Sequence, residues 1–497
     1  MTRHIRGTVP TARSMTVSWA VVVSMTACNF APAPVEVAPV TRLPEAFGQA
    51  ASWDALESTA WWMGFSDPVL NQLVDTAIVA NLDIREALAR VEEVRAQYRI
   101  ANAALLPTVQ AGADFSRNDV PANTGQFGAI FGQDGEDGGG PEAAAPDRFS
   151  FSTFGASLGF AYELDLWGRV RSGRSAAVAD LLATSWDVRT VEIGVVSETI
   201  AGYFEILELG RLASILRQQV DLLEERLTLT QDRYDRGVVT SLEVYQIQQD
   251  FNATRAQLPL LEAQLADAKG RLGLLLGRFP AEIDALLEAD ALPSVSTEAI
   301  PAGLPSTLLS SRPDVVAAFA RLEAARLRVG ERRAARFPTL SLTGSAGQQS
   351  GQLSDLVRAD QWFTNFVTSI TAPIFNGGRL AADEAAARAR YDQEAARYAR
   401  AILTSFKDVD ASLAAFNAQR ARHALLAEQA AAAQANSDNQ LRRLELGIGD
   451  YVAYLDALRQ SLNVQSTRAT AERDLALARL NVHRALGGSW IESEEGS

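Results

Sequence analysis

The 497-residue sequence carries 46 basic and 60 acidic residues, a formal charge of −14 with the two signs interspersed, which argues against nucleic acid as a partner. A composition weighted toward Ala, Leu, Arg and Glu favours long helices. One cysteine excludes an intrachain disulfide, and three histidines leave no cluster with zinc-site spacing.

The N-terminus, MTRHIRGTVPTARSMTVSWAVVVSMTAC, has Arg3, Arg6 and Arg13, no acid, and an apolar run closed by Thr26 and Ala27. That is the pattern of a secretory signal peptide over residues 1–27. Met25-Thr26-Ala27-Cys28 resembles a bacterial lipobox, which makes Cys28 the candidate lipidation site; Met25 stands where Leu is usual. The alternative is an ordinary signal followed by an incidental cysteine. Asn29 replaces the Asp that retains lipoproteins at the inner membrane, so the resemblance implies the outer membrane, with residues 28–60 as a lipid-anchored extension. No later segment offers about 18 uninterrupted apolar residues, so a membrane crossing has to use strands.

The remainder is a duplication. ALARVEEVR at Ala87–Arg95 answers AFARLEAAR at Ala318–Arg326 with an offset of 231, and Leu106-Pro107-Thr108 answers Phe337-Pro338-Thr339. Further on the offset is 210: Gly168-Arg169 matches Gly378-Arg379, Gly237 matches Gly447, and Leu276-Gly277 matches Leu486-Gly487. The first repeat spans 61–277, a proline-punctuated connector with one short helix spans 278–312, the second repeat spans 313–488, and 489–497 is a tail. The 21 extra residues of the first repeat fall in Asn118–Asp147, a Gly-, Pro- and acid-rich stretch that reads as a long loop.

Each repeat contains one hairpin, over 107–167 and 338–376. Val109, Ala111, Ala113 and Phe115 alternate with polar residues, as do Phe154, Ala156, Leu158, Phe160, Tyr162, Leu164 and Leu166. Leu340, Leu342 and Ala346, then Phe366, Ile370, Ala372 and Ile374, repeat the pattern less cleanly. Period two with one apolar face suits a transmembrane barrel strand, and equally a hairpin half-buried on a soluble core. Four strands cannot close a barrel, and open edges in lipid cost roughly several kcal/mol per unpaired backbone group. Two chains give eight strands and a filled interior; three give twelve and a lumen, so a channel favours a trimer.

Arg169–Arg236 contains no proline and reads as one helix of about 100 Å. Its counterpart, Arg379–Leu446, has a seam at Ile402, Phe406, Val409, Leu413 and Phe416 with coiled-coil spacing. The sequence contains no nucleotide-binding, serine-hydrolase or zinc-protease motif, and its carboxylates read as solvated helix faces. Neither an enzyme nor a cofactor or metal is expected.

YELDLWGRVRSG at 162–173, GLPSTLLSSRPDV at 303–315, the LPT and FPT steps before the hairpins, and WWMGFSDPVLNQLV at 61–74 resemble the TolC-like outer membrane factors. With the lipobox, the likeness is to the lipoprotein branch of the OprM/NodT type. This resemblance implies a mainly α fold with membrane β: a homotrimer whose 12-stranded β-barrel, four strands per chain, continues into a long periplasmic α-helical barrel. It implies a passive duct for small molecules, coupled through a periplasmic adaptor to an inner-membrane RND-type pump. Helical-hairpin tips at Gly237, Val238, Val239 and Thr240, and at Gly447, Ile448, Gly449 and Asp450, would contact the adaptor. An entrance constriction would involve Glu243, Asp450, Tyr454 and Asp456, with Ala453 where the family often has a further Asp. A ring of such carboxylates would favour cations. A type I protein secretion duct and a non-pore periplasmic coiled-coil lipoprotein are the alternatives.

Overall fold

The computed structural model describes residues 30–32, 61–121, 148–287, 296–298 and 312–488. The signal peptide, Cys28, most of the 28–60 extension, the 122–147 part of the expected loop, most of the connector and the 489–497 tail lie outside them. The elements in order are α1 (Pro68–Ala80), α2 (Leu82–Ala103), β1 (Thr108–Pro121), β2 (Arg148–Leu164), α3 (Arg169–Asp235), α4 (Ser241–Arg255), α5 (Leu258–Leu275), α6 (Pro280–Ile283), α7 (Pro313–Ala334), β3 (Thr339–Ser350), β4 (Trp362–Thr371), α8 (Arg379–Glu445) and α9 (Tyr451–Ala485). By contacts the chain forms two units, and each draws on both repeats. One joins Met1–Pro34, Ala96–Val178 and Glu323–Tyr391; the other joins Val35–Arg95, Ala179–Leu322 and Asp392–Ser497.

The first unit holds a four-stranded antiparallel sheet in the order β1-β2-β3-β4. Its register puts Val109 beside Phe160 and Phe115 beside Phe154, while Phe160, Gly344 and Phe366 form one row and Leu340 pairs with Ile370. All of these lie on one face, because side chains alternate along each strand. Gln110, Asp114, Ser157, Ser341, Thr343 and Asn365 lie on the other. The apolar face is bare: Val109 is 69 % exposed, Phe366 65 % and Ile370 73 %. That removes the alternative of a hairpin half-buried on a soluble core. The shortest strand has 10 residues, enough to cross a bilayer at the usual tilt. No described helix is long and apolar enough to cross a membrane.

Three strand boundaries differ from the sequence reading. The expected loop begins at Asn118, yet β1 pairs as far as Pro121, where Arg148 and Ser150 hold the Asp119 carboxylate at 3.4 and 3.1 Å. Apolar alternation stops at the edge of the apolar face, whereas backbone pairing does not need it. At the other end β2 stops at Leu164, short of Leu166, because Asp165 turns to accept the Val170 and Arg171 N–H groups (3.2 and 2.9 Å) at the start of α3. Finally β4 stops at Thr371, so Ala372 and Ile374 lie beyond it; Pro373, between them, has no N–H to give a ladder.

Both long helices, α3 and α8, run for 67 residues. The expected seam on α8 is buried at Ile402, Val409, Leu413 and Phe416, with Phe406 half-buried; the latter part of this stripe packs on Leu475, Val482 and Leu486. The repeats diverge after α3 and α8. Pro259 cannot donate to the carbonyl of Arg255, and the helix breaks there into α4 and α5, whereas α9, with Ala469 at the matching place, runs unbroken for 35 residues. The connector supplies its short helix as α6 with a 3-10 turn at Asp284–Leu286.

The largest core of the second unit gathers Trp61, Trp62, Phe65, Leu70 and Val74 against Ile200, Tyr203, Phe204, Leu272 and Leu480. Asp67 organises it. One carboxylate oxygen accepts the Val69 and Leu70 N–H groups at 2.8 and 3.2 Å, capping α1, and the other accepts the Tyr203 hydroxyl at 2.7 Å. Burial, then this bond, hold the Tyr203 hydroxyl far above its ordinary pKa. His483 lies nearly parallel to Trp61, with centroids 5.1 Å apart. Burial and the neighbouring Arg479 charge push its pKa down to about 4.

Candidate functional site

Apart from Cys28, which lies outside the described residues, the residues singled out by the sequence lie at the two helix-to-helix turns of the second unit and at the starts of α4 and α9. Both turns are built alike. Gly237 (φ +72°) donates to the Tyr234 carbonyl at 2.8 Å while Val238 donates to Arg233 at 2.8 Å; Gly447 (φ +74°) donates to Leu444 at 2.9 Å while Ile448 donates to Arg443 at 3.0 Å. This paired pattern closes a helix C-terminus and needs a left-handed residue, where glycine carries no Cβ penalty. The next helices then start on different caps. Glu243 reaches back to accept the Thr240 N–H at 3.4 Å, whereas Asp450 accepts the Val452 N–H at 3.2 Å. The second turn is also tighter, since a Cβ on Gly449 would come within 2.6 Å of the Leu444 nitrogen; Val239 holds the matching place in the first.

Both turns present apolar side chains to solvent. Val238, Leu242, Tyr245, Leu446 and Ile448 are between 63 and 74 % exposed. Such residues grouped at helix ends leave an exposed apolar patch at each turn.

Behind the turns, α3 and α9 pack through Ile215, Leu222, Leu455 and Leu462, with Tyr451, Tyr454 and Leu458 at the margin. Ile215 and Leu222 are seven residues apart, as are Leu455 and Leu462, the repeat of a coiled-coil contact. Polar pairs flank this seam at the same interval. Gln219 donates to Asn463 at 3.0 Å, and Arg226 pairs with Asp456 at 2.6 Å. Closer to the turn the Tyr451 hydroxyl donates to Glu225. Burial first, then this bond, push the Tyr451 pKa up to about 12. Arg459, 3.8 Å from Asp250, ties α9 to α4 as well.

Tyr454 and Asp456 therefore share one short stretch of α9. Asp456 is one half of an ion pair with Arg226, and Tyr454 leans on the seam beside Tyr451, their rings 6.2 Å apart. Glu243 and Asp450 act as caps on their own helices. Sequence reading did not find Arg226, Glu225 or Tyr451. The signal was present in the seven-residue spacing of Gln219 with Arg226 and of Asp456 with Asn463.

A family model described as "Outer membrane efflux protein" matches residues 73–278 and 304–488. The probable efflux pump outer membrane protein TtgC of Pseudomonas putida is 33 % identical over 448 residues, 89 % of this chain and 88 % of that protein. The pyoverdine export outer membrane protein OpmQ of Pseudomonas aeruginosa is 32 % identical over 478 residues, 95 % of this chain and 96 % of its own length. The crystal structure of the Campylobacter jejuni CmeC outer membrane channel superposes with a TM-score of 0.83, covering 94 % of this chain and 96 % of that one; at 23 % identity the likeness concerns the fold.

Proposed function

The chain belongs to the outer membrane efflux protein family, and from that premise we propose that three copies form the exit duct of a tripartite efflux system. Twelve strands close a barrel in the outer membrane, and the long helices form the periplasmic tube. The duct is passive and carries small molecules, drugs and toxic compounds among them. An inner-membrane pump of the RND type supplies the energy through a periplasmic adaptor. No covalent chemistry is required of the chain, and His483 is spent on packing against Trp61.

The observation that carries this reading is the sheet: an apolar face left bare on one chain, with β1 and β4 as its edges among the described residues. Lipid on that face and a neighbouring copy at each edge satisfy both needs together. The exposed apolar turns at Gly237–Thr240 and Gly447–Asp450 are the surfaces we assign to the adaptor. The stretch containing Tyr454 and Asp456, with Glu243 and Asp450 at the caps, is assigned to the entrance. Cys28 is assigned as the acylated residue that anchors the chain in the membrane.

Purified protein reconstituted in planar bilayers tests the duct. Stepwise conductance from a species that runs as a trimer on unheated gels is expected. A monomer without conductance would leave a periplasmic coiled-coil lipoprotein as the better description. Deletion of the gene is expected to sensitise cells to dyes or antibiotics. Loss of a secreted protein with unchanged sensitivity would instead place the chain in a type I secretion pathway.

A further inference from the structure

We propose that the cavity where the start of α8 meets the end of α7 and the β2–α3 corner is an oxyanion site, which takes a carboxylate or phosphate group of a solute in passage. The passage of that solute rests on the duct proposed above; the anion site does not.

The cavity has a volume of about 280 Å³, and Glu163, Arg169, Arg332, Thr339, Arg379 and Asp383 line it. Three guanidinium groups therefore meet two carboxylates, a positive excess in a chain whose formal charge is −14. Glu163 and Thr339 belong to the polar face of the sheet, opposite Leu164 and Leu340, which pair on the apolar one. With lipid on the apolar face of a closed barrel, the cavity lies against the lumen.

The three arginines are not equally engaged. Arg169 gives two N–H groups to the Glu163 carboxylate, at 3.1 and 2.7 Å, and is satisfied by that fork. Arg379 reaches Asp383 on its own helix at 3.3 Å with its side chain 69 % exposed, and Arg332, half exposed, comes no nearer than 3.9 Å to Glu331. Exposed pairs of this kind are weak, so both guanidinium groups can turn to an incoming anion. Their planar donors match the oxygens of a carboxylate or a phosphate.

The duplication supplies a comparison within one chain. Thr108 pairs with Ala161 as Thr339 pairs with Thr371, so the two hairpins correspond residue by residue. In the first repeat two carboxylates neutralise the corner: Glu163 takes Arg169, and Asp165 takes the Val170 and Arg171 N–H groups that open α3, at 3.2 and 2.9 Å. In the second repeat Pro373 and Phe375 stand in those two places, and the stretch 372–382 contains no acid. Arg379 and the first turn of α8 are thus left without the carboxylates their counterparts have. Arg332 adds a further cation where the first repeat has Ala101.

The first repeat therefore shows which chemistry the second corner lacks, an oxyanion beside a guanidinium and a helix N-terminus. A second copy joined at β4 does not supply it. The end of α2 and the start of β1, which that copy would bring to the corner, contain no acid from Val94 to Ala113.

Equilibrium dialysis of the purified trimer against radiolabelled citrate and, separately, inorganic phosphate reads the site. Saturable binding of at least one of them is expected. Arg332→Gln combined with Arg379→Gln should weaken it by roughly tenfold. Arg358→Gln, on the β3–β4 connection, should leave it unchanged. Phe375→Asp returns the carboxylate that the first repeat uses and keeps every arginine, so it should weaken binding too; it decides the matter if the double variant forms no trimer on unheated gels. Absence of saturable binding, or binding equal in wild type and these variants, overturns the site. Citrate added to conducting channels in planar bilayers tests the path. A fall in mean current that the double variant does not show supports a solute in passage. Binding with no effect on the current upholds the anion site and overturns the passage, and a trimer that binds citrate but never conducts fails the duct and not the site.

Discussion

Arg226 on α3 and Asp456 on α9 meet at 2.6 Å across the seam behind the second turn, 230 residues apart in sequence. Asp456 is half exposed, so the pair adds only ~0.2–1 kcal/mol to stability. Its larger effect is positional, since it joins the two helices where the entrance is assigned. Asp456→Ala, alone or with Asp450→Ala, is expected to raise single-channel conductance or weaken cation preference in planar bilayers, with thermal stability nearly unchanged. Arg226→Ala should act in the same direction on conductance. Unaltered single-channel behaviour in all three would reduce these residues to surface charges.

The exposed apolar turns make a separate prediction. Val238→Asp and Ile448→Asp leave each turn's backbone bonds intact and put a charge where an adaptor would bury an apolar side chain. Adaptor binding in pull-down, and dye efflux from cells, should fall at least tenfold, since an unpaired charge buried at an interface costs several kcal/mol. Trimer yield should hold. Normal binding by both variants would move the docking surface elsewhere.

Asp67 is expected to be a principal stabilising residue of the second unit. Asp67→Ala removes an N-cap, at about 1 kcal/mol, and leaves the buried Tyr203 hydroxyl unpaired, at about 1–3 kcal/mol. Tyr203→Phe removes only the hydroxyl bond and should cost about 1 kcal/mol. The temperature at which the circular dichroism signal melts should rise in the order Asp67→Ala, Tyr203→Phe, wild type. Equal melting of all three would mean that the bond contributes nothing.

His483 predicts an acid-sensitive component of stability. Its folded pKa, about 4, lies below the unfolded value near 6.5, so between these values the unfolded chain binds the extra proton. The contribution is therefore fully present above pH 6.5 and is lost as pH falls toward 4. For this residue, only 6 % exposed, the loss amounts to roughly 3 kcal/mol. His483→Gln, which cannot charge, should show a smaller drop in melting temperature between pH 7 and pH 4 than wild type. Parallel drops would exclude His483 as the source.

Much of the molecule was legible before any coordinates. The duplication, the two hairpins, the α8 seam from Ile402 to Phe416 and the paired turns at Gly237 and Gly447 each have a local signature: a repeated word, a period of two, a period of seven, a glycine after a helix. The strand ends were less so, because pairing past Phe115 to Pro121 is held by backbone bonds and by Arg148 with Asp119, which leave no periodic trace. The break at Pro259 was visible as a residue, though its contrast with the unbroken α9 appears only when the repeats are compared in the structure.

The sequence by itself determined which segments are helix and strand, where they turn, and the family to which the chain belongs, because these depend on the order of residues within a few turns. Only the tertiary structure decided partnership. Asp456 finds Arg226, Tyr451 finds Glu225, and Phe30 finds Phe337 and Trp167, across separations of 137 to 307 residues that no local pattern encodes. Those contacts depend on which helix faces lie together, and that follows from how the whole chain buries its apolar surface.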